Sequence, residues 1–250
     1  MRKLLIGALA GVVVLAVAAV AYAATQTTYS QSYTLNKTAK SVGTHFDTTS
    51  IDPDNTDNNQ QPAKTRKLVI GFPAGTKIDQ TVKPYCTVLK EDDPNGNVCP
   101  KNTQVGSGSA EVRLKYPGSS PIPADVTAYN RKSDGNKGLF LYVVPSVPGQ
   151  APVVIKPVFS GLKLTTVLTP LCVLNDCPNN GEAVLTKFHL DTKAYKKTVT
   201  VKKGKKKKKV THFFITSPKA CPSAGWKFTA DFTYDDGTTK HLESTQACKK

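Results

Sequence analysis

The chain has 250 residues and a formal net charge of +16, and 39% of its residues are hydrophobic. A chain of this length can bury a hydrophobic core of its own. The basic excess favours anionic partners such as wall polymers, acidic glycans, nucleic acid or lipid headgroups, although charge alone does not define a fold.

The chain opens with the pattern of a signal peptide. Arg2 and Lys3 precede an apolar run over residues 4–21, and small residues at 21 and 23 form a signal-peptidase site. We therefore predict a signal peptide over residues 1–23, whose removal lowers the net charge from +16 to +14. The alternative is an uncleaved membrane anchor, because about 18 apolar residues can span a bilayer.

An acidic segment follows in the mature chain. Asp52, Asp54 and Asp57 offer closely spaced oxygen ligands of the kind that calcium prefers. The segment does not fit an EF-hand, because its sixth position is Asp57 rather than glycine and its twelfth is Ala63 rather than glutamate. A solvated loop is the favoured interpretation, with a calcium site as the alternative.

Short apolar or alternating runs, separated by clusters of Pro, Gly, Asn and Asp, predict an antiparallel β protein. Residues 139–144 are apolar on both faces, so this strand is expected to be central and to end at Pro145. Residues 182–191 alternate, so this strand covers a core with one face. The predicted strands are 67–72, 110–114, 125–129, 139–144, 153–159, 162–168, 182–191, 198–201, 210–215, 227–234 and 239–245, with another within 27–35.

These strands predict an all-β fold, namely an antiparallel β-sandwich, Ig-like or jelly-roll-like, with long loops. One domain over residues 24–250 is the simpler organisation, because no loop has the composition of an interdomain linker. Two β domains split near residue 150 are the alternative.

Six cysteines, an even number in an exported chain, imply disulfides. Turn-forming residues lie between the first two cysteines and between the next two, which favours pairing of neighbours. The predicted disulfides are Cys86–Cys99, Cys172–Cys177 and Cys221–Cys248. Zinc is disfavoured, because the chain has no CxxC pair and its histidines show no ligand spacing to the cysteines.

Signals for catalysis are weak. The run 106–109 (Gly-Ser-Gly-Ser) superficially resembles a nucleophile elbow, but it is interpreted as a glycine-rich bend leading into the strand at Ala110. The histidines are scattered singly, which is typical of surface or packing residues. Glycoside hydrolysis needs two carboxyl groups paired in space. The candidates for such a pair are Asp125, Asp191, Asp231 and Glu182.

The densest charge lies in segment 196–210. Valines before and after the charged run predict the two arms of a β-hairpin with its tip near Gly204. The plain interpretation is a solvated tip that blocks edge-to-edge aggregation. The alternative is a contact site for phosphate- or sulfate-bearing polymers or anionic lipid. The predicted contact residues are Lys202, Lys203, Lys205, Lys206, Lys207, Lys208 and Lys209.

The C-terminal region predicts a second hairpin, with alternate apolar residues over 226–234 on one face. A three-residue loop over 235–237, with Gly237 left-handed, sets Leu242 opposite Ala230 on the buried face. A two-residue loop would set Leu242 opposite Asp231, on the wrong face. Cys221–Cys248 would then close the base of this hairpin.

Three stretches carry a family resemblance: residues 72–76 leading to Cys86; residues 99–110; and residues 217–222 together with 236–238 and Cys248. They resemble a loose group of exported, disulfide-containing β-sandwich proteins of high-GC Gram-positive bacteria. The resemblance implies export and fold, and it carries over no catalytic or ligand-binding residue.

Taken together, these features predict a non-catalytic secreted or cell-surface binding or adhesion module with a basic face and no cofactor. Its expected partner is an anionic cell-wall polymer, glycan or lipid surface. Sequence-specific nucleic-acid binding is not expected, because no aromatic residues interleave the lysines for base stacking. The alternative function is an exported hydrolase acting on an anionic polymer.

Overall fold

The computed structural model describes residues 25–52, 62–87, 99–114, 120–133, 135–146, 152–172, 182–203 and 206–250. Their regular structure consists of seventeen strands and two single-turn 3₁₀ helices, Gln80–Val82 and Lys101–Thr103. The strands are β1 (Gln26–Tyr33), β2 (Thr44–Ile51), β3 (Thr65–Gly71), β4 (Lys77–Ile78), β5 (Gln104–Leu114), β6 (Ile122–Ser133), β7 (Asn136–Pro145), β8 (Val153–Ile155), β9 (Val158–Ser160), β10 (Lys163–Val167), β11 (Leu171–Cys172), β12 (Glu182–Thr192), β13 (Lys196–Lys203), β14 (Lys206–Phe213), β15 (Ile215–Thr216), β16 (Trp226–Tyr234) and β17 (Thr239–Gln246).

Eleven strands form one sheet that curls into a nearly closed barrel. Their order is β1-β2-β12-β5-β6-β7-β9-β10-β3-β16-β17, and the neighbours along it are antiparallel. Two short strands lie off this path, because β8 pairs with β7 and β11 pairs with β12. The sheet takes strands from both sides of residue 150. The expected all-β antiparallel class is confirmed.

The prediction of an Ig-like or jelly-roll-like sandwich is wrong. The inner faces of this sheet meet one another across the barrel instead of packing against a second large sheet. Alternation along a strand reveals which side chains are buried, but a closed sheet and a sandwich produce the same alternation. The other sheets of the described residues are two-stranded, β13-β14 and β15-β4.

Side chains rather than a backbone ladder close the barrel where β1 meets β17. The Gln246 amide accepts a hydrogen bond from the Tyr33 N–H at 2.8 Å and donates one to the Tyr33 carbonyl at 2.9 Å. The Ser244 hydroxyl does the same for Gln31, accepting from its N–H at 3.1 Å and donating to its carbonyl at 2.9 Å. These bonds satisfy polar groups that an open sheet edge would expose.

The C-terminal hairpin has the predicted register. Ala230 lies opposite Leu242, and Gly237 adopts the left-handed conformation with a φ of 82°. Trp226 and Phe228 point into the barrel, where both contact the ring of Tyr33 at centroid distances of 5.3 and 4.9 Å. The predicted core face of this strand is confirmed.

Two of the predicted disulfides are present. Cys221–Cys248 closes the C-terminal hairpin, and Cys86–Cys99 joins a segment that packs on the outside of the barrel. There Cys86 and Cys99 form a buried cluster with Tyr129 and Phe140, which explains why the central strand β7 is apolar on both faces. In the third pair, Cys177 and the side chain of Cys172 fall outside the described part of the chain, so this disulfide stays a prediction.

The interpretation of residues 106–109 as a bend is wrong, because they belong to the middle of strand β5. A Cβ atom at Gly106 would collide with the Asp191 carbonyl, and one at Gly108 with the His189 carbonyl. The glycines therefore allow β5 and β12 to approach closely.

Strand β2 was not predicted. Its buried positions are mostly hydroxyl residues, Thr44, Thr48 and Ser50, with a single apolar residue, Phe46. The apolar alternation that identifies other strands is therefore weak here.

Candidate functional site

The predicted lysine-rich hairpin exists and stands apart from the barrel as its own two-stranded sheet. We call residues 196–213 the lysine hairpin. Its arms are β13 and β14, paired from Lys196 opposite Phe213 to Lys203 opposite Lys206. Alternating Val and Thr, which are β-branched, favour this extended structure. It leaves the barrel just after Thr192, which is bonded to Thr44 at the end of the barrel where β1 finishes.

Buried contacts fix the base of the lysine hairpin. Phe214, 1% exposed, follows β14, and its ring meets Tyr195 edge-on at 6.4 Å. The Phe214 N–H donates to the Tyr195 carbonyl at 3.0 Å, which extends the pairing toward the barrel. On the barrel side, the Lys83 ammonium lies over the Tyr195 ring at 4.3 Å, and Asp79 bonds His212 at 3.1 Å. These contacts therefore fix the position of the hairpin's base relative to the barrel.

The lysine hairpin contains no acidic residue of its own. Nine lysines lie between residues 196 and 209, and no acidic residue occurs between 192 and 230. Lys202 lies directly opposite Lys207, and Lys203 opposite Lys206. Like charges at directly opposed positions destabilise a strand pair. The hairpin therefore holds electrostatic repulsion that a bound anion would relieve.

The predicted contact residues can be placed as follows. Lys202, Lys206, Lys207, Lys208 and Lys209 are exposed, and the structure brings them together within one strand pair. Lys203 ends β13, and its side chain lies outside the described part of the chain, as does all of Lys205.

Two histidines expected to be isolated are in fact neighbours on the outer face of the barrel. His45 bonds Asp191 at 2.5 Å, and His189 bonds Asp47 at 2.7 Å and Asp191 at 3.3 Å. The hydrogen bond to Asp47 raises the pKa of His189, and the charges of both aspartates add to the effect against partial burial. These histidine–aspartate contacts depend on the register of β2 against β12. They could not be predicted, because the sequence of β2 does not indicate a strand.

The remaining two histidines also contact carboxylates. His241 bonds Asp231 at 2.5 Å, and this bond raises the pKa of the imidazole. His212 bonds Asp79 at the base of the lysine hairpin. Within the described residues, no Ser, Thr or Cys side chain hydrogen-bonds an imidazole, so this part of the chain shows no hydroxyl or thiol nucleophile in contact with a histidine base.

Three of the four acidic residues considered for hydrolysis contact basic side chains. Asp191 and Asp231 bond histidines, and Glu182 is bonded by Lys64 at 2.8 Å and Arg66 at 2.7 Å. Burial disfavours ionisation of Glu182, but the bonds from Lys64 and Arg66 outweigh it and hold its pKa below the usual value. Glu182 thus serves as a buried ion-pair centre linking β12 to β3.

The structure describes only one of the three residues of the candidate calcium site. Asp52 directly follows β2, whereas Asp54 and Asp57 fall outside the described residues. Among the residues that are described, no group of three or more His, Cys, Asp or Glu side chains is arranged to hold a metal ion.

The interior of the barrel holds an apolar cavity of about 80 Å³. Its wall includes Phe46, Ile70, Leu141, Leu164 and Phe188. Side chains can just fill the interior of a barrel of eight strands, and a barrel of eleven strands is wider. The cavity is well below the 300–1,000 Å³, roughly, that is typical of small-molecule sites.

The fold and these sites define an all-β antiparallel barrel stapled by disulfides, with a cationic hairpin at one end. Comparison of the chain with protein-family models, curated proteins and solved structures finds no match. In the part of the chain that the structure describes, no helix is long and apolar enough to cross a membrane.

Proposed function

We propose that this protein is a non-catalytic, exported binding module that contacts polyanions through its lysine hairpin. The observation that carries the proposal is two pairs of opposed lysines on a hairpin without acidic residues, Lys202 opposite Lys207 and Lys203 opposite Lys206. A hairpin made only for solubility gains nothing from lysines set against each other. A polyanion laid across the strands would neutralise both members of each pair.

The chemistry of the hairpin favours charge-driven binding of low specificity. Ammonium groups act as point charges and need no fixed ligand geometry. Apart from Phe213 at the base, β13 and β14 contain no Phe, Tyr or Trp, so stacking on nucleobases has no platform. Anionic wall polymers and acidic glycans are therefore better candidates than a specific nucleic-acid sequence.

The disulfides Cys86–Cys99 and Cys221–Cys248 indicate an oxidising environment. Together with the signal peptide predicted over residues 1–23, they support a secreted or cell-surface location. The histidine–carboxylate contacts on the barrel are the basis of the alternative, a hydrolase of anionic polymers. That alternative ranks second, because the described residues present no nucleophile beside an imidazole.

Retention on immobilised heparin tests the proposal against net charge alone. One variant changes Lys206, Lys207, Lys208 and Lys209 to Ser. The matched control changes four exposed lysines outside the hairpin, Lys67, Lys77, Lys137 and Lys163, to Ser and therefore loses the same charge. We expect the hairpin variant to elute at a clearly lower salt concentration than the control, with a melting temperature equal to or slightly above that of the parent. Equal elution of the two variants would show that only overall charge matters.

A further inference from the structure

The two faces of the lysine hairpin differ in chemistry. Successive residues of a strand point to opposite faces, so the register sorts the arms into two sets. One face carries Val199, Val201 and Val210. The other carries Thr198, Thr200 and Thr211, with the hydroxyls of Thr198 and Thr211 3.0 Å apart. Both faces carry lysines toward the tip.

We infer that the valine face of the lysine hairpin lies on the surface of an anionic lipid bilayer. This inference rests on the proposed polyanion contact and deepens it, because it names the kind of polyanionic surface. Val201 is 39% exposed, and Val199 and Val210 are partly exposed in the arms that stand off the barrel. The three valines form an apolar strip, and among the described residues no barrel strand pairs with β13 or β14.

Lysines frame this strip in the way that an interfacial element requires. Lys208 lies directly opposite Val201, and Lys206 follows toward the tip on the same face. Both residues are exposed. Lysine side chains can lay their alkyl stems along apolar surface while the ammonium reaches the headgroups. Binding to a bilayer surface then combines burial of the valines with attraction to anionic lipid.

A soluble polyanion would interact with the lysines of the hairpin but not with its valines. A linear polymer is attracted equally by lysines on the threonine face, such as Lys207 and Lys209, and gains nothing from valines on the other face. A bilayer has both anionic headgroups and an apolar region beneath them. The separation of Val and Thr onto opposite faces therefore favours the bilayer over the dissolved polymer.

Vesicle binding by two sets of variants, of which the Val→Thr set is isosteric, tests the inference. The first set changes Val199, Val201 and Val210 to Thr, together and as the single Val201→Thr change at the most exposed site. The matched control changes Thr198, Thr200 and Thr211 to Ser. Full-length mature protein is floated with vesicles of one part phosphatidylglycerol to three parts phosphatidylcholine, and with phosphatidylcholine alone. Each variant is also eluted from heparin, and its melting temperature is measured.

We expect the parent to bind only the anionic vesicles. The triple Val→Thr variant should bind them about tenfold or more weakly, and Val201→Thr by a smaller factor, with heparin elution unchanged. The Thr→Ser control should match the parent on vesicles. Parent-like vesicle binding by both valine variants would overturn the inference, as would parent protein that binds heparin but not anionic vesicles. Either result leaves the polyanion contact standing, which instead fails if the four-lysine variant and its control elute together from heparin.

Discussion

The closure of the barrel by Gln246 leads to a quantitative prediction. Its amide is the partner of both the N–H and the carbonyl of Tyr33, a residue only 2% exposed. Gln246→Met keeps the length of the side chain but leaves both backbone groups without a partner. Each buried group left unsatisfied costs about 1–3 kcal/mol, so we expect the free energy of unfolding to fall by roughly 2–6 kcal/mol.

The assay is urea unfolding followed by the fluorescence of Trp226, the single tryptophan, which lies directly opposite Gln246 in the hairpin. Ser244→Ala, which removes the equivalent partner of Gln31, should also destabilise the protein. Thr245→Val is the control, because it is nearly isosteric and its side chain is exposed. If Gln246→Met unfolds within about 0.5 kcal/mol of this control, side-chain closure of the barrel is not what holds these edges together.

Three further predictions concern stability. Replacing both cysteines of a disulfide by Ser should lower the free energy of unfolding by about 3.5 kcal/mol for Cys221–Cys248 and about 3 kcal/mol for Cys86–Cys99, since their separations are 27 and 13 residues; the reverse order in urea titrations would contradict the loop-entropy argument. Gly108→Ala should cost about 2 kcal/mol or more by forcing β5 away from β12, and a thermal melt no lower than that of Ser109→Ala would refute this. The raised pKa of His189 means that its contribution is complete below the ordinary pKa of 6.5 and is lost as pH rises through the folded-state pKa. The melting temperature of His189→Asn should therefore fall less than that of the parent between pH 6 and about pH 8.5, and parallel curves would exclude the effect.

Features that depend on neighbouring residues were predictable from the sequence. The C-terminal hairpin, its three-residue loop and the Cys221–Cys248 bond all follow from turn chemistry and alternation within about thirty residues. The lysine hairpin was predictable for the same reason. Each is a contact between segments that are close in the chain.

Features that depend on distant strands were not predictable. The contact of His45 with Asp191 needs β2 to pair with β12 across more than one hundred residues. Strand β2 itself lacks a clear apolar alternation, because hydroxyl side chains occupy most of its inward positions. Closure of the barrel was not predictable either, since the sequence does not distinguish Ser244 and Gln246 from ordinary polar residues of an edge strand. Long-range register, rather than local propensity, decides all of these features.

The two ends of the barrel have different neighbours. Strand β1 begins beside Ile51 and runs to the opposite end, where the lysine hairpin departs after Thr192. At about 3.3 Å per residue, β1 covers roughly 26 Å, and each arm of the hairpin covers a similar length. Thr25, which precedes β1, therefore lies at the end of the barrel opposite the base of the lysine hairpin. A label attached at Thr25 would therefore be separated from the base of the hairpin by about the length of β1.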